Sequence, residues 1–452
     1  MSQPQLSDKA KKLALATLLL ASLVINIGFS GLTPVFPHLI LALKGILTQL
    51  PELTIEAIPA HQGAIEFGIL MAAFVATRAP MALLSGTLSD HLGRKKLILT
   101  GMTIYTLVSI GFLISNDIPT FTLFRAVQGI ASAMVWPVAE AYIADITTPK
   151  TRGKAISAYI TTMNIAEIVG PAIGVIIYKA YITAYGTADV IAALKSPFIF
   201  FAATSIISAA MLTKLPSLPT PKTTAKTASL HLKTLPKHLQ QLPPETSRSI
   251  KTIYANGAMN GISMGIMHTA LVLYIVEEVA KDPVVLGILF LIVAAASLPI
   301  TLAAGAISDH LGKRKPFITL GYILSRPTAF IIPFLKAFPH ILIAAILTSL
   351  AFSLAMPLMR TLQADLTPQR IRGTIFGAQQ LFFNTGIVIG ALLGSTLTQQ
   401  YAPHHYTILN ITTTGYIIPF WTVATLGTIT TILLILYITE KPATQQQIPT
   451  NQ

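Results

Sequence analysis

The sequence predicts an all-α integral membrane protein, with twelve transmembrane helices in two pseudo-symmetric six-helix bundles. Three observations carry this. Of 452 residues, 53% are apolar and only 11% charged, whereas a soluble domain carries about 25% charged residues. Apolar runs approaching the roughly 20 residues that a helix needs to cross a bilayer begin near Leu13, Phe67, Leu97, Thr120, Ala155 and Pro197. After a polar stretch they resume near Thr252, Val284, Pro316, Ile341, Thr374 and Ile417. Finally, one block occurs twice. Gly86-Thr87-Leu88-Ser89-Asp90-His91-Leu92-Gly93-Arg94-Lys95-Lys96 returns as Gly305-Ala306-Ile307-Ser308-Asp309-His310-Leu311-Gly312-Lys313-Arg314-Lys315. The stretch from Ala144-Asp145-Ile146-Thr147 to Arg152-Gly153 returns in register as Ala364-Asp365-Leu366-Thr367 to Arg372-Gly373. Two matches at nearly the same offset, 219 and 220 residues, mark a duplicated unit, and a duplicated membrane half points to a transporter.

Taken in order, residues 1–214 form the expected first bundle. The basic lead before Leu13 mimics a signal peptide, but the apolar run is long and no small-residue cleavage site closes it, so a retained first span is expected. Residues 215–251, rich in Pro, Thr and Lys, hold no run long enough to span and read as a cytoplasmic linker. Within it, Leu230 to Gln241 could form a surface amphipathic helix. Residues 252–440 form the second bundle, and 441–452 a polar tail. Tyr401, Tyr416 and Trp421 fit an interfacial aromatic belt.

The net charge of +14 raises nucleic acid as a partner, and its distribution argues against one. With both termini inside, the internal side holds Arg94, Lys95, Lys96, Lys150, Arg152, Lys154, the linker cations, Lys313, Arg314, Lys315, Arg370 and Arg372. External loops keep Lys44, Lys179, Lys195, Lys281 and Lys336. This is the positive-inside bias of a multi-pass protein. The absence of cysteine excludes disulfides and thiolate metal sites. No cofactor or metal is implied, no phosphate-binding loop for ATP is present, and no nucleophile–base pair recurs at useful spacing, so an enzyme is not expected.

The repeated loop carries the first candidate chemistry. Gly86 and Gly93 permit a tight reversal. Asp90, Arg94 and Asp145 can then form a charge-assisted network at the inner surface, with Asp309, Lys313 and Asp365 in the matching places of the second half. Asp90 could also meet the N-terminus of the eleventh span, whose dipole favours an anion. Such a network would act as a conformational latch. Its plain alternative is ordinary loop charge.

These residues carry a family resemblance. The block Gly86-x-Leu88-x-Asp90-His91-x-Gly93-Arg94-Lys95 resembles the loop motif of the major facilitator superfamily. Arg125-x-x-Gln128-Gly129 resembles its fourth-span motif. Gly170-Pro171-x-x-Gly174 resembles the fifth-span motif of its twelve-span drug–proton antiporters, and Glu140-Ala141-Tyr142-Ile143-Ala144-Asp145-Ile146-Thr147 is similar to tetracycline-type efflux pumps. The sequence departs from the pattern at His91 and His310, where the family usually has Arg, and at Ala166 and Val175, which replace glycines. The first span has Asn26 but no acid.

Ionisable residues inside spans are expensive in lipid and should face a cavity or a partner. At ~1.5 Å per residue, Arg125 lies roughly 30 Å from Asp145 and Glu167 roughly 22 Å from Arg152. Glu167 shares a helix face with Gly170, Pro171 and Gly174, a small-residue ridge with a proline that can serve as a hinge. Glu167 is the first candidate for proton coupling, since a desolvated carboxylate can load and release a proton near neutral pH. A structural ion pair with Arg78 or Arg125 is the competing reading. Glu140 is the second candidate, with a gating contact as its alternative. The resemblance implies that Arg125 tunes the acid. Arg78 and Arg326 read as structural. Asn26, Trp136, Asn164, Asn256, Asn260, His268, Gln380 and Asn384 are candidates to line a substrate cavity, and Met264, Met267, Met356 and Met359 could add adaptable apolar surface.

The expectation is therefore a secondary transporter working by alternating access, with protons and a small molecule as partners and the bilayer as solvent. It would be a monomer in a prokaryotic inner membrane, with both termini cytoplasmic. Proton-coupled export of an amphiphilic or hydrophobic small molecule leads. Proton-coupled metabolite uptake is the same-fold alternative, and a transporter-like sensor or scaffold is the alternative of a different class.

Overall fold

Long helices with short connections build the chain in this computed structural model, which describes residues 7–54, 57–218, 235–236, 239–311, 313–368, 371–408 and 410–440. Side chains at 149–150, 301–302 and 304–311 lie outside the description as well. Twelve helices among the described residues are long and apolar enough to cross a membrane. The chain divides into two compact units: residues 1–228 with 275–291, and residues 229–274 with 292–452.

The first unit contains α1 (Asp8–Ser30), α2 (Phe36–Leu43), α3 (Ala64–Leu92), α4 (Arg94–Ile114), α5 (Ile118–Ile146), α6 (Pro149–Tyr185) and α7 (Val190–Thr213). Helix starts are written locally. The side chains of Ser7, Asp117 and Asp189 accept backbone N–H groups of Ala10, Thr120 and Ala192 at 3.3, 2.8 and 2.9 Å, each satisfying one of the donors a helix leaves unpaired at its N-terminus. Between α3 and α4, Gly93 takes φ +90°, a conformation that a side chain rarely adopts. Lipid gives helices no hydrophobic reason to associate, so close packing and hydrogen bonds do the work. Gly170 and Gly174 of α6 lie against Ser30 and Gly31 of α1, where an added Cβ would overlap them. The Ser30 hydroxyl donates across this crossing to the Ala166 carbonyl at 2.8 Å. Thr77 donates likewise from α3 to Ala126 of α5 at 2.7 Å. Helix α2 was not apparent in the sequence. It is buried, and its Phe36 joins Phe112, Phe121 and Phe198 in an aromatic cluster with centroids 4.5 to 5.8 Å apart.

The second unit contains α8 (Pro244–Tyr274), most of α9 (Pro283–Leu311), α10 (Lys315–Ile331), α11 (Phe338–Leu366), α12 (Arg372–Tyr401) and α13 (Ile417–Tyr437). Helix α8 begins at Pro244, inside the stretch expected to be linker. Its first polar turns stay helical because Ser247, Ile250 and Tyr254 pack inward. Gly257, Gly261 and Gly265 on α8 meet α12, which presents Gly386, Gly390 and Gly394. Spans one and five therefore close on glycine in the first unit, and spans seven and eleven do so in the second.

The segment between α12 and α13 forms a hairpin, β1 (His405–Ile408) with β2 (Ile411–Thr414), paired Ile408 to Ile411. Asn410 in its turn takes φ +65°; Asn tolerates this region better than most residues. Of the expected linker, 219–234 and 237–238 lie outside the described residues, as does the tail 441–452. Leu235, Leu239 and Leu242 pack on Ile250, Tyr254, Ile371 and Ile375.

Candidate functional site

The repeated loop builds one charged contact in each unit. In the first, Arg94 stands immediately after Gly93, at the start of α4. Its guanidinium donates to the Asp145 carboxylate at the C-terminal end of α5 and lies 3.5 Å from Asp90. In the second, Arg314 pairs with Asp365 at 2.6 Å. The expected partner was Lys313, by strict repeat register. Helix α10 starts at Lys315 with Arg314 as its N-cap, two positions later in the repeat than α4, which starts at Arg94; Arg314 takes the place of Arg94 and the Lys313 side chain is exposed. The Asp309 side chain lies outside the described residues. Glu440 accepts from the Arg314 and Lys315 backbone N–H groups at 2.5 and 3.1 Å, an anion at a helix N-terminus where the dipole favours one.

Glu167 is exposed on α6. At about 100° per residue it stands roughly 180° round the helix from the exposed Ile165 and Ile176, while the exposed Ile160, two turns earlier, shares its face. It shares its face with Asn164 and Pro171, and α6 runs unbroken through Pro171. None of the ion pairs among the described residues includes Glu167, and Arg78 is the cation whose field reaches it. The paired reading with Arg78 or Arg125 is not what the geometry gives. Arg125 is instead only 6% exposed and donates to Gln128 Oε1 at 2.7 Å. Its guanidinium sits 5.4, 5.0 and 4.9 Å from the rings of Phe29, Phe36 and Phe74. Such a cage stabilises a cation that has left water. Glu140 is the exposed position in the stretch 131–143 of α5, where Pro137 and Ala141 are half-buried and the rest buried.

The cavity candidates divide. Asn26 is half-buried and donates to the Ser22 carbonyl at 2.7 Å. Gln380 donates to Asn384 at 3.1 Å, and this pair lies roughly 180° round α12 from the exposed Phe382 and Ile389. His268 and, one turn before it, Met264 are exposed on α8, whose span is otherwise 67% buried. Trp136, Asn256 and Asn260 stand inside packed layers, contrary to expectation. Trp136 tilts against Tyr105 at 6.1 Å. Asn256 donates to the Thr430 carbonyl at 3.0 Å and accepts from Tyr322 at 2.9 Å. Asn260 bonds Asn256 and Tyr322 and accepts from Arg326 at 3.2 Å. Buried amides need partners, and here neighbouring helices supply them.

Sequence reasoning missed a polar cluster within the first unit. His61 pairs with Glu277 at 2.7 Å, and its backbone N–H donates to the same carboxylate at 2.9 Å. Lys179 bridges Glu52 at 2.8 Å and Asp282 at 3.0 Å. His38 is fully buried between the carbonyls of Lys281, at 2.7 Å, and Pro34, at 3.2 Å; burial holds its pKa below the ordinary histidine value. The signal was available as three acids, Glu52, Glu277 and Asp282, in segments between spans or at their ends that also carry lysines. Lys195, read as a loop cation, lies inside α7 and donates to the carbonyls of Leu113 and Ser115, the favoured place for a cation at the end of α4.

Comparison with known proteins agrees with this architecture. The family model described as "Major Facilitator Superfamily" matches residues 18–251 and 253–452. Multidrug resistance protein 2 of Bacillus subtilis (strain 168) is 23% identical over 342 residues, 75% of this chain and 81% of the relative. The quinolone resistance protein NorA of Staphylococcus aureus is 27% identical over 137 residues, 30% of this chain and 35% of its own. Among solved structures, the human organic anion transporter MFSD10 gives a TM-score of 0.63 at 18% identity, covering 96% of this chain and all of that one. A D-xylose-proton symporter gives 0.68 at 15% identity, covering 94% and 98%. Twelve membrane-length helices, a loop repeated with its Arg–Asp pair, and a family match across both halves lead to one conclusion: the chain belongs to the major facilitator superfamily, as a multi-pass integral membrane protein.

Proposed function

We propose that this transporter exports a small amphiphilic or hydrophobic molecule in exchange for protons, by alternating access. The observation that carries the reading is Glu167: a carboxylate in no ion pair among the described residues, exposed on a membrane-length helix and one turn from Gly170, which packs on Ser30 of α1. An acid so placed is costly unless it meets water or a proton, and proton binding there couples to helix packing one turn away. The names of the sequence relatives, multidrug and quinolone resistance proteins, favour outward traffic of lipophilic compounds. The distribution of basic residues favours cytoplasmic termini, and bacterial relatives favour a plasma membrane.

The test is transport into inside-out vesicles under an imposed proton gradient, with a panel of lipophilic cations and phenolics. Accumulation driven by the gradient is expected. In the Glu167→Gln variant, substrate movement should no longer depend on the gradient, while thermal unfolding stays as in the parent. Parent-like coupling in that variant would clear Glu167 of the role. The second reading is proton-coupled uptake, favoured by the fold match to a D-xylose-proton symporter and to the nucleoside transporter NupG, TM-score 0.68 at 12% identity. Failure of every panel compound to accumulate would move the balance to that reading.

A further inference from the structure

A groove of about 520 Å³ lies within the second unit, between the end of the inter-bundle segment, the first turns of α8 and the end of α13. Its lining combines two chemistries. Leu239 and Leu242 from the segment and Leu433 from α13 supply apolar surface, and Arg248 and Lys251 of α8 supply charge. Arg248, Lys251 and Ala255 share one exposed face of α8, as spacings of three and four residues dictate. No ion pair among the described residues engages either cation. The nearest acid in sequence, Glu245, does not line the groove.

The position of these cations along α8 is informative. After Lys251 no charged residue occurs until Glu277, so Arg248 and Lys251 mark the level where the helix leaves hydrocarbon. The end of α13 stands at the same level, since the Ser249 hydroxyl accepts from the Thr439 N–H at 3.1 Å. From Leu433 the apolar surface continues on the neighbouring face of α13 through Leu436 and Ile429, which are 63% and 41% exposed. A cationic rim therefore opens onto an apolar strip running into the membrane.

We propose that this groove binds an anionic phospholipid of the cytoplasmic leaflet, its phosphate held by Arg248 and Lys251 and one acyl chain laid along Leu433, Leu436 and Ile429. A guanidinium fork and an ammonium together match a phosphodiester, and basic pockets on the cytoplasmic side of membrane bundles suit anionic headgroups. A free phosphate would leave the apolar half of the groove unused. The choice of leaflet rests on the orientation proposed above; the choice of ligand does not.

The test uses the full chain in nanodiscs with phosphatidylglycerol carrying a photoactivatable acyl chain, followed by mapping of adducts. Adducts are expected on residues 239–255 and 429–436. They should fall about tenfold or more in the Arg248→Gln, Lys251→Gln double variant, two surface cations each contributing to anion attraction. The charge-matched control Arg152→Gln, Lys154→Gln should keep them. Equal adducts from the zwitterionic phosphatidylcholine probe, or adducts unchanged in the Arg248, Lys251 variant, would overturn the site. Loss of adducts to millimolar inorganic phosphate would reduce it to a phosphate site and overturn the lipid. A probe confined to one leaflet separates the two readings: labelling only from the opposite leaflet rejects the orientation and leaves the groove standing.

Discussion

At the scale of single residues, two buried or half-hidden ionisable groups have opposite surroundings. Arg125 is wrapped in aromatic rings and an amide, a setting that keeps a cation in place. Glu167 is exposed and enters no ion pair among the described residues, a setting that suits proton exchange. His38 gives a third case, outside the spans. Two carbonyls flank its ring, but burial dominates, so its folded pKa lies below the ordinary value of about 6.5. The sign follows from linkage: its contribution to stability is complete above the ordinary pKa and is lost as pH falls through the depressed one. Thermal unfolding followed between neutral and mildly acidic pH should show the melting temperature falling with acid. His38→Gln, which keeps a donor for the Lys281 carbonyl, should flatten that slope.

At the scale of elements, the α1–α6 crossing is the part most sensitive to added volume. Gly174→Val would push a side chain into the Gly31 backbone and should destabilise by about 1–3 kcal/mol, as overpacking does, read as a lower melting temperature. The Arg94–Asp145 contact is softer. Arg94 remains 15% and Asp145 37% exposed, and exposed pairs contribute at most about 1 kcal/mol. Its role as a latch would therefore show in conformational populations more than in stability. Asp90→Asn should move inter-helix distance distributions, measured by pulsed spectroscopy on spin labels, toward the inward-open state; unchanged distributions would refute the latch. The helices were legible because apolar runs and repeated loops are long signals. The exact partner of Asp365 was not, because a helix that starts two residues later in the repeat moves a cation past the register that repetition implies. Helix α2 and the hairpin were invisible for a related reason: each is shorter than the window in which hydropathy speaks.

At the scale of the whole molecule, membrane class, span number and family were all readable from composition and duplication, since lipid admits few solutions. Which polar residues line a pathway was not readable. Asparagine looks the same in sequence whether it satisfies a neighbouring helix or waits for a ligand, and Asn256 and Asn260 proved to be the former, Gln380 and Asn384 open to exposure. Sidedness can be checked directly because the chain has no cysteine. A single cysteine at Lys154 should react with an impermeant maleimide only from the cytoplasmic side, and one at Tyr185, 77% exposed, only from outside. The reverse pattern would invert the proposed topology.

The Asn256–Asn260–Tyr322–Arg326–Thr430 mesh ties α8, α10 and α13 together. Anyone wishing to retune what this protein carries should leave that knot untouched: cutting it would loosen three helices at once and blur the readout, whereas Gln380 and His268 are exposed and stand outside it, so edits there leave the frame fastened.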